Sequence, residues 1–89
     1  MYLLLYIIAF VGVIQMNITE MRIKEEGIIK SINQIEINFR KRLMDLGIYD
    51  GADVILLNVL SFGKLYLLEV DDVEICLRKE DALLIEVEL

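Results

Sequence analysis

Few side chains in this 89-residue chain could do chemistry. There is no histidine, and Cys76 is the only cysteine. Nitrogen and sulfur ligands for a transition metal are therefore nearly lacking within one chain, and no histidine can act as a general base. Ser31 and Ser61 have no evident activating residue. These observations predict a protein that is not an enzyme and that has no catalytic residues, no cofactor and no metal site.

Carboxylates are the remaining metal ligands, and Asp71, Asp72 and Glu74 lie close together. Their spacing does not match the D-x-[DN]-x-[DN]-G pattern of a calcium loop. The G-x-x-x-x-G-K-[ST] pattern of a nucleotide-binding loop is also missing from the sequence. We interpret the acidic group as a hairpin turn, and we expect any nucleotide hydrolysis to belong to a partner protein.

The numbers of acidic and basic side chains indicate which kinds of partner the protein can bind. Fifteen acidic and nine basic side chains give a net charge of −6. Nucleic-acid binding relies on Lys and Arg to neutralise phosphates, so we expect no nucleic-acid partner. One basic cluster, Arg40-Lys41-Arg42, is either a docking patch for an acidic partner or a solvated helix face. A single cysteine is typical of a reducing, intracellular compartment.

A second candidate contact region is the loop that contains Phe62, with Lys64 beside it. An aromatic side chain in a loop is suited to anchoring an interface, and the alternative is that it folds back onto the core. Cys76 is interpreted differently. A reactive thiol needs a basic and accessible setting, so we expect Cys76 to be a small filler residue.

The elements that must position these residues are short. Runs rich in Ile, Leu and Val predict five strands, at 27–32, 53–60, 64–70, 73–77 and 83–89. Asn33 and Glu36 resemble a capping box and predict a helix over about 34–46 that Gly47 ends. Its apolar stripe contains Ile35, Phe39, Leu43 and Leu46. A helical turn is predicted near 78–82. This pattern fits a mainly β, closed or nearly closed small barrel.

Residues 1–15 carry no charge. A helix over them would cover about 22 Å, short of the roughly 30 Å of a bilayer core. The segment also lacks the basic region of a secretory signal. It could result from an upstream start, act as a membrane-surface anchor, or pack on the domain as a strand or helix. We treat residues 1–15 as an apolar extension and 16–89 as the domain.

One motif resembles a known family. The run 42–54 resembles the signature R-L-x-x-L-G-[IL]-x-x-G-x-x-V of the FeoA family, and 75–82 resembles its I-A-L-R-x-x-x-A element. The segments 17–23, 26–29 and 84–87 resemble its N-terminal segment and its first and closing strands. The motif positions that the resemblance marks as structural are Leu43, Leu46, Gly47, Gly51 and Ala82. Where the family often has G-D-P, this chain has Phe62-Gly63-Lys64.

The resemblance implies an SH3-like barrel and a non-enzymatic accessory protein of ferrous iron uptake. Such a protein would bind and modulate the cytoplasmic part of a FeoB-type transporter. The alternative is a regulatory interaction module like the C-terminal domain of DtxR-type metal-dependent repressors. We expect a cytoplasmic protein at the inner face of the membrane, with indirect membrane contact unless residues 1–15 are an anchor. Self-association stays open. The candidate partner-binding residues are Arg40, Lys41, Arg42, Phe62 and Lys64.

Overall fold

The computed structural model describes residues 16–32 and 35–89. Five antiparallel strands form one sheet in the order β4-β3-β2-β1-β5. The strands are β1 (Glu26–Ser31), β2 (Asp53–Leu60), β3 (Leu65–Val70), β4 (Val73–Arg78) and β5 (Glu86–Glu88). The helices are α1 (Ile37–Asp45) and the short α2 (Lys79–Ala82), and 3-10 turns occupy Ile18–Glu20 and Ser61–Gly63. The mainly β prediction, with one main helix and a short helical turn, is confirmed.

The core packs against one face of the sheet and is entirely apolar among the described residues. In β3, for example, Tyr66, Leu68 and Val70 are buried while the residues between them are half-buried. Burying each large aliphatic side chain stabilises the fold by about 1.5–3 kcal/mol. The largest fully buried side chains are Ile18, Ile29, Leu43, Ile48, Val54, Leu56, Leu68, Val70 and Ile85.

β5 is held on both of its edges. One edge pairs with β1, and the other meets the segment 16–18, where the Val87 N–H donates to the Met16 carbonyl oxygen (2.8 Å). Where β5 ends beside β1, a Cβ atom on Gly27 would lie 2.9 Å from the carbonyl oxygen of Glu88. That approach is closer than a side chain allows, so the position requires glycine. These contacts join the two ends of the described chain.

β2 and β3 form a ribbon with two distinct ends. At the end where β2 begins lie α1, the 47–52 connection and the hairpin turn Asp71-Asp72; we call this the helix end. At the other end the 61–64 connection joins β2 to β3; we call this the tip. Eight residues of β2 at about 3.3 Å each separate the two ends by roughly 26 Å.

The predicted start of the main helix is wrong. Asn33 and Gln34 lie outside the described residues, and α1 begins at Ile37. Glu36 is the N-cap residue, and its carboxylate accepts the backbone N–H groups of Asn38 and Phe39. A capping carboxylate both satisfies free N–H groups and complements the helix dipole, which explains this starting point.

The predicted apolar stripe is partly wrong. Leu43 is fully buried, Phe39 is half-buried, and Ile35 is buried although it precedes the helix. Leu46 is 52% exposed, because it is the C-cap residue and the chain turns back after it. Ile48, whose N–H donates to the Leu43 carbonyl oxygen (2.8 Å), is fully buried.

Two predictions near the C-terminus are also corrected. β5 is shorter than 83–89, because Leu83 and Leu84 form an exposed turn after α2. Ile85 and Val87 are buried, as the predicted alternation requires. Cys76 is exposed, so its interpretation as a filler residue is wrong. In β4 it alternates with inward-facing side chains and lies on the solvent face.

Candidate protein interaction site

The basic cluster lies on α1. Lys41 and Arg42 are exposed and Arg40 is half-buried. The guanidinium carbon of Arg42 lies 5.7 Å from the centroid of the Phe39 ring, a cation–π arrangement. Arg42 is therefore partly engaged within its own helix, and the cluster combines positive charge with a preformed contact to an aromatic ring.

Beside the cluster is a groove of about 310 Å³. Arg40 contributes to its wall, and apolar surface comes from Met44 and Tyr49, which are 54% and 42% exposed. The remaining described wall residues are Ile32 and Asp50. The groove thus offers an apolar strip next to a cation, which suits a partner segment with both apolar and acidic side chains.

Hydrogen bonds hold the helix end together. The Tyr49 hydroxyl donates to Oδ2 of Asp71 (2.7 Å), which links the connection after α1 to the β3–β4 turn. The hydrogen bond to Asp71 and the negative charge of that carboxylate raise the pKa of Tyr49. Gly47 and Gly51 have φ angles of +100° and +93°, so the chain passes from α1 into β2 through two left-handed residues.

The tip has a different character. Ser61, Phe62 and Gly63 have φ angles of +53°, +56° and +86°, which is a run of three left-handed residues. The first two are not glycine, so this backbone is strained. The Phe62 side chain is fully exposed. The Lys64 carbonyl oxygen accepts the N–H of Lys79 (2.9 Å), which ties the loop to the start of α2.

The structure does not bring the five candidate contact residues together. Arg40, Lys41 and Arg42 lie at the helix end, whereas Phe62 and Lys64 lie at the tip. Either the two groups contact different surfaces of a partner, or only one of them binds. Sequence reasoning missed Met44 and Tyr49, the apolar part of the groove at the helix end. The aromatic residue between the two turn glycines was the available signal.

Acidic side chains form a separate groove of about 420 Å³ on the sheet. Its carboxylates belong to Glu26, Asp53, Glu69, Asp71 and Asp72. Across 16–32 and 35–89, no group of three or more His, Cys, Asp or Glu side chains is arranged to hold a metal ion. A search of the same ranges finds no helix that is long and apolar enough to cross a membrane.

The described residues form a small five-stranded β domain with an apolar core and with exposed apolar and basic groups at both ends of one ribbon. The model of the FeoA domain matches residues 16–89, and the chain belongs to the FeoA family. This is a family of ferrous iron transport whose members are accessory or regulatory domains. A comparison with curated protein sequences gives no match.

Solved structures agree with this assignment. The FeoA protein of Chlorobium tepidum is 26% identical, with a TM-score of 0.78 over 83% of this chain and 70% of that chain. FeoA of Stenotrophomonas maltophilia, described as a prokaryotic SH3 domain protein complexed with zinc, is 22% identical over 83% of this chain and 91% of that chain (TM-score 0.71). A manganese-dependent transcriptional repressor shares the fold at 17% identity (TM-score 0.73), over 83% of this chain and 41% of its own.

Proposed function

We propose that this chain is a non-enzymatic accessory protein of ferrous iron uptake that binds the cytoplasmic part of a FeoB-type transporter and modulates it. Membership of the FeoA family carries the proposal. The description of the Stenotrophomonas protein as a candidate activating factor for ferrous iron transport supports it. In this role the chain works in the cytoplasm, and iron is the cargo of the transporter and not a cofactor of this protein.

Within this proposal, Phe62 at the tip is the first anchor. Its side chain is fully exposed, and its backbone is strained in a loop that hydrogen bonds hold in place. Strain that contributes nothing to the core is common at binding sites. An exposed aromatic ring that becomes buried on binding is a typical hot spot, and Lys64 beside it would add a contact to an acidic group.

A binding titration with the purified cytoplasmic part of the transporter tests the proposal. Phe62→Ala should weaken binding at least about tenfold, which is the effect of losing a modest hot spot. Ile28→Ala is the matched control, since Ile28 is a 48% exposed apolar residue that pairs with Asp53, at the end of β2 opposite the tip. The triple variant Arg40→Ala, Lys41→Ala, Arg42→Ala measures how much the helix end contributes to the binding affinity. In cells, deletion of the gene should lower ferrous iron uptake.

The result that contradicts the proposal is a folded chain that fails to bind the transporter and whose deletion leaves uptake unchanged. A second candidate function is a regulatory module that binds a metal-dependent repressor. The fold shared with the manganese-dependent repressor favours it. Binding to the DNA-binding part of such a repressor, without binding to the transporter, would support this second function.

A further inference from the structure

β4 has an edge that the rest of the described chain leaves open. It is the first strand of the sheet, so β3 pairs with one edge only. The turn Asp71-Asp72 has two residues at positive φ, and the flanking Val70 and Val73 form a pair. In such a hairpin the flanking pair exchanges both backbone hydrogen bonds. Every second residue of β4, starting with Val73, is hydrogen-bonded to β3 in this way. The residues between them therefore direct their N–H and C=O groups away from β3.

These outward groups belong to Glu74, Cys76 and Arg78. Arg78 is also the N-cap residue of α2, so its carbonyl oxygen accepts the first hydrogen bond of that helix. Within 16–32 and 35–89, no other strand pairs with this edge. An edge of this kind is a template for another strand, and natural proteins usually cover or interrupt it. β4 contains no proline, no lysine and no bulge that would prevent such pairing.

The side chains along this edge carry a self-complementary pattern. Glu74, Cys76 and Arg78 are all exposed on the solvent face. Glu74 is directly opposite Glu69 of β3, a like-charge pair that costs stability. Arg78 is 73% exposed, and its Nε lies 3.4 Å from Oδ2 of Asp81, a surface contact that contributes little. Glu74 therefore has no cation opposite it in β3. Arg78, near the other end of β4, has only a weak surface contact and can pair with an acidic group.

We propose that β4 pairs with β4 of a second copy of this chain, antiparallel and about a two-fold axis at Cys76. In this register Glu74 faces Arg78 of the second copy, Arg78 faces its Glu74, and the two Cys76 residues lie opposite each other. The outward N–H groups of Cys76 and Arg78 and the outward C=O groups of Glu74 and Cys76 then find partners across the axis. The two sheets join into one continuous sheet.

The charges select this register over its neighbours. With Ile75 on the axis, Glu74 would face Cys76 of the second copy and gain no cation. With Leu77 on the axis, Glu74 would face Glu80 of the second copy, a like-charge pair. The net charge of −6 opposes association of two copies, so the local pairs must supply the specificity. Among the residues of β4 itself, only the axis at Cys76 gives two opposite-charge pairs.

Charge reversal on the full chain tests the proposal by sedimentation velocity at increasing protein concentration. The wild type should dimerise. Glu74→Arg and Arg78→Glu should each weaken the dimer at least about tenfold, because each creates two like-charge pairs across the axis. Mixing the two variants should restore association as a heterodimer, since every arginine then faces a glutamate. Glu74→Arg should stay folded, because it places an arginine opposite Glu69.

Glu88→Arg is the matched control, since it makes the same change of charge on an exposed residue of β5, at the other end of the strand order from β4. It should leave the dimer unchanged. Because Cys76 is the only cysteine, a short-spacer bismaleimide should cross-link two chains of the wild type or of the mixture, and neither single variant. A wild type that stays monomeric, a mixture that does not associate, or a dimer that survives both reversals would overturn the proposal.

Discussion

The two ends of the β2–β3 ribbon both expose aromatic and basic residues, but these residues differ in the contacts they make within the chain. At the helix end, the exposed Tyr49 donates a hydrogen bond to Asp71, and Arg42 lies over the Phe39 ring. At the tip, Phe62 is fully exposed and its backbone is left-handed. Tyr49 and Arg42 at the helix end have contacts within the chain, whereas the aromatic ring at the tip adds strain without packing.

This difference in contacts distinguishes residues that stabilise the fold from residues that are available to bind a partner. A residue that hydrogen-bonds or packs within the chain can be explained by stability. Phe62 has no such explanation, since an exposed ring gains no burial energy and the left-handed backbone costs some. The tip is therefore the better test of partner binding, and the helix end is the better test of the fold. Four measurements test this contrast.

The largest effect is expected at the buried base of the helix end. Leu43→Ala removes a fully buried side chain and should lower the free energy of unfolding by about 2–5 kcal/mol, measured by urea denaturation. The neighbouring Met44 is 54% exposed, so Met44→Ala should change it by less than about 0.5 kcal/mol. Equal effects of the two variants would mean that α1 does not pack on the barrel through Leu43.

At the tip, Ser61→Gly should raise the free energy of unfolding by up to about 1 kcal/mol. Glycine adopts the observed φ of +53° without the strain that a Cβ atom imposes, although it loses more entropy on folding. Ser61→Ala retains the strain and serves as the control, with no gain expected. A glycine variant that is less stable than the wild type would show that the tip backbone is not strained.

A smaller and pH-dependent effect is expected from Tyr49→Phe. The wild type should melt slightly higher at neutral pH, because only tyrosine can donate to Asp71. The pKa of Tyr49 is raised above its usual 10.0 in the folded chain, so its stabilising contribution is complete below pH 10 and lost as the pH rises through the folded value. The difference between the two melting curves should therefore shrink above pH 10, and a constant difference would argue against the hydrogen bond as its cause.

The smallest effect is expected from removing the apolar extension. A chain that starts at Met16 should melt at the same temperature as the full chain, because Met16 already supplies the hydrogen bond to Val87. A chain that starts at Arg22 is the control. It loses the buried Ile18 and Met21, at about 1.5–3 kcal/mol each, and should melt much lower. A large drop on removing residues 1–15 alone would show that the extension belongs to the fold.

The strands could be predicted because their signals are local. β2 has the predicted bounds, since its aliphatic run is enclosed by Gly51 and by the turn at Ser61. The hairpin at Asp71-Asp72 was also predicted correctly, because two acidic residues break two apolar runs. Both signals depend only on residues that are adjacent in the sequence.

The helix start was not predictable in the same way. The pattern Asn-x-x-Glu occurs at 17–20 and at 33–36. At 17–20 it forms a capping box on a 3-10 turn that was not predicted, whereas Glu36 is itself the N-cap of α1. The pattern alone does not determine whether its Asn or its Glu is the N-cap residue. Tertiary packing, here of Ile35 and Leu43, decides where the first turn lies.

The exposure of the site residues was equally hard to predict. Whether Phe62 points outward depends on the left-handed backbone at Ser61 and Phe62, and no residue type there demands that conformation. Cys76 lies on the face that the strand alternation predicted, and the fold leaves that face of β4 exposed to solvent. Both outcomes depend on neighbours in space.

The position of β5 between β1 and the segment 16–18 has a consequence for how the protein is made. During synthesis on the ribosome, both neighbours of β5 leave the exit tunnel long before β5 does. Their edges then have no partner until β5 follows, because β5 comes after both neighbours in the sequence. The sheet is therefore completed only once β5 has left the tunnel, and a ribosome that stalls before that point holds a nascent chain with two open edges, which is the state most exposed to misassembly.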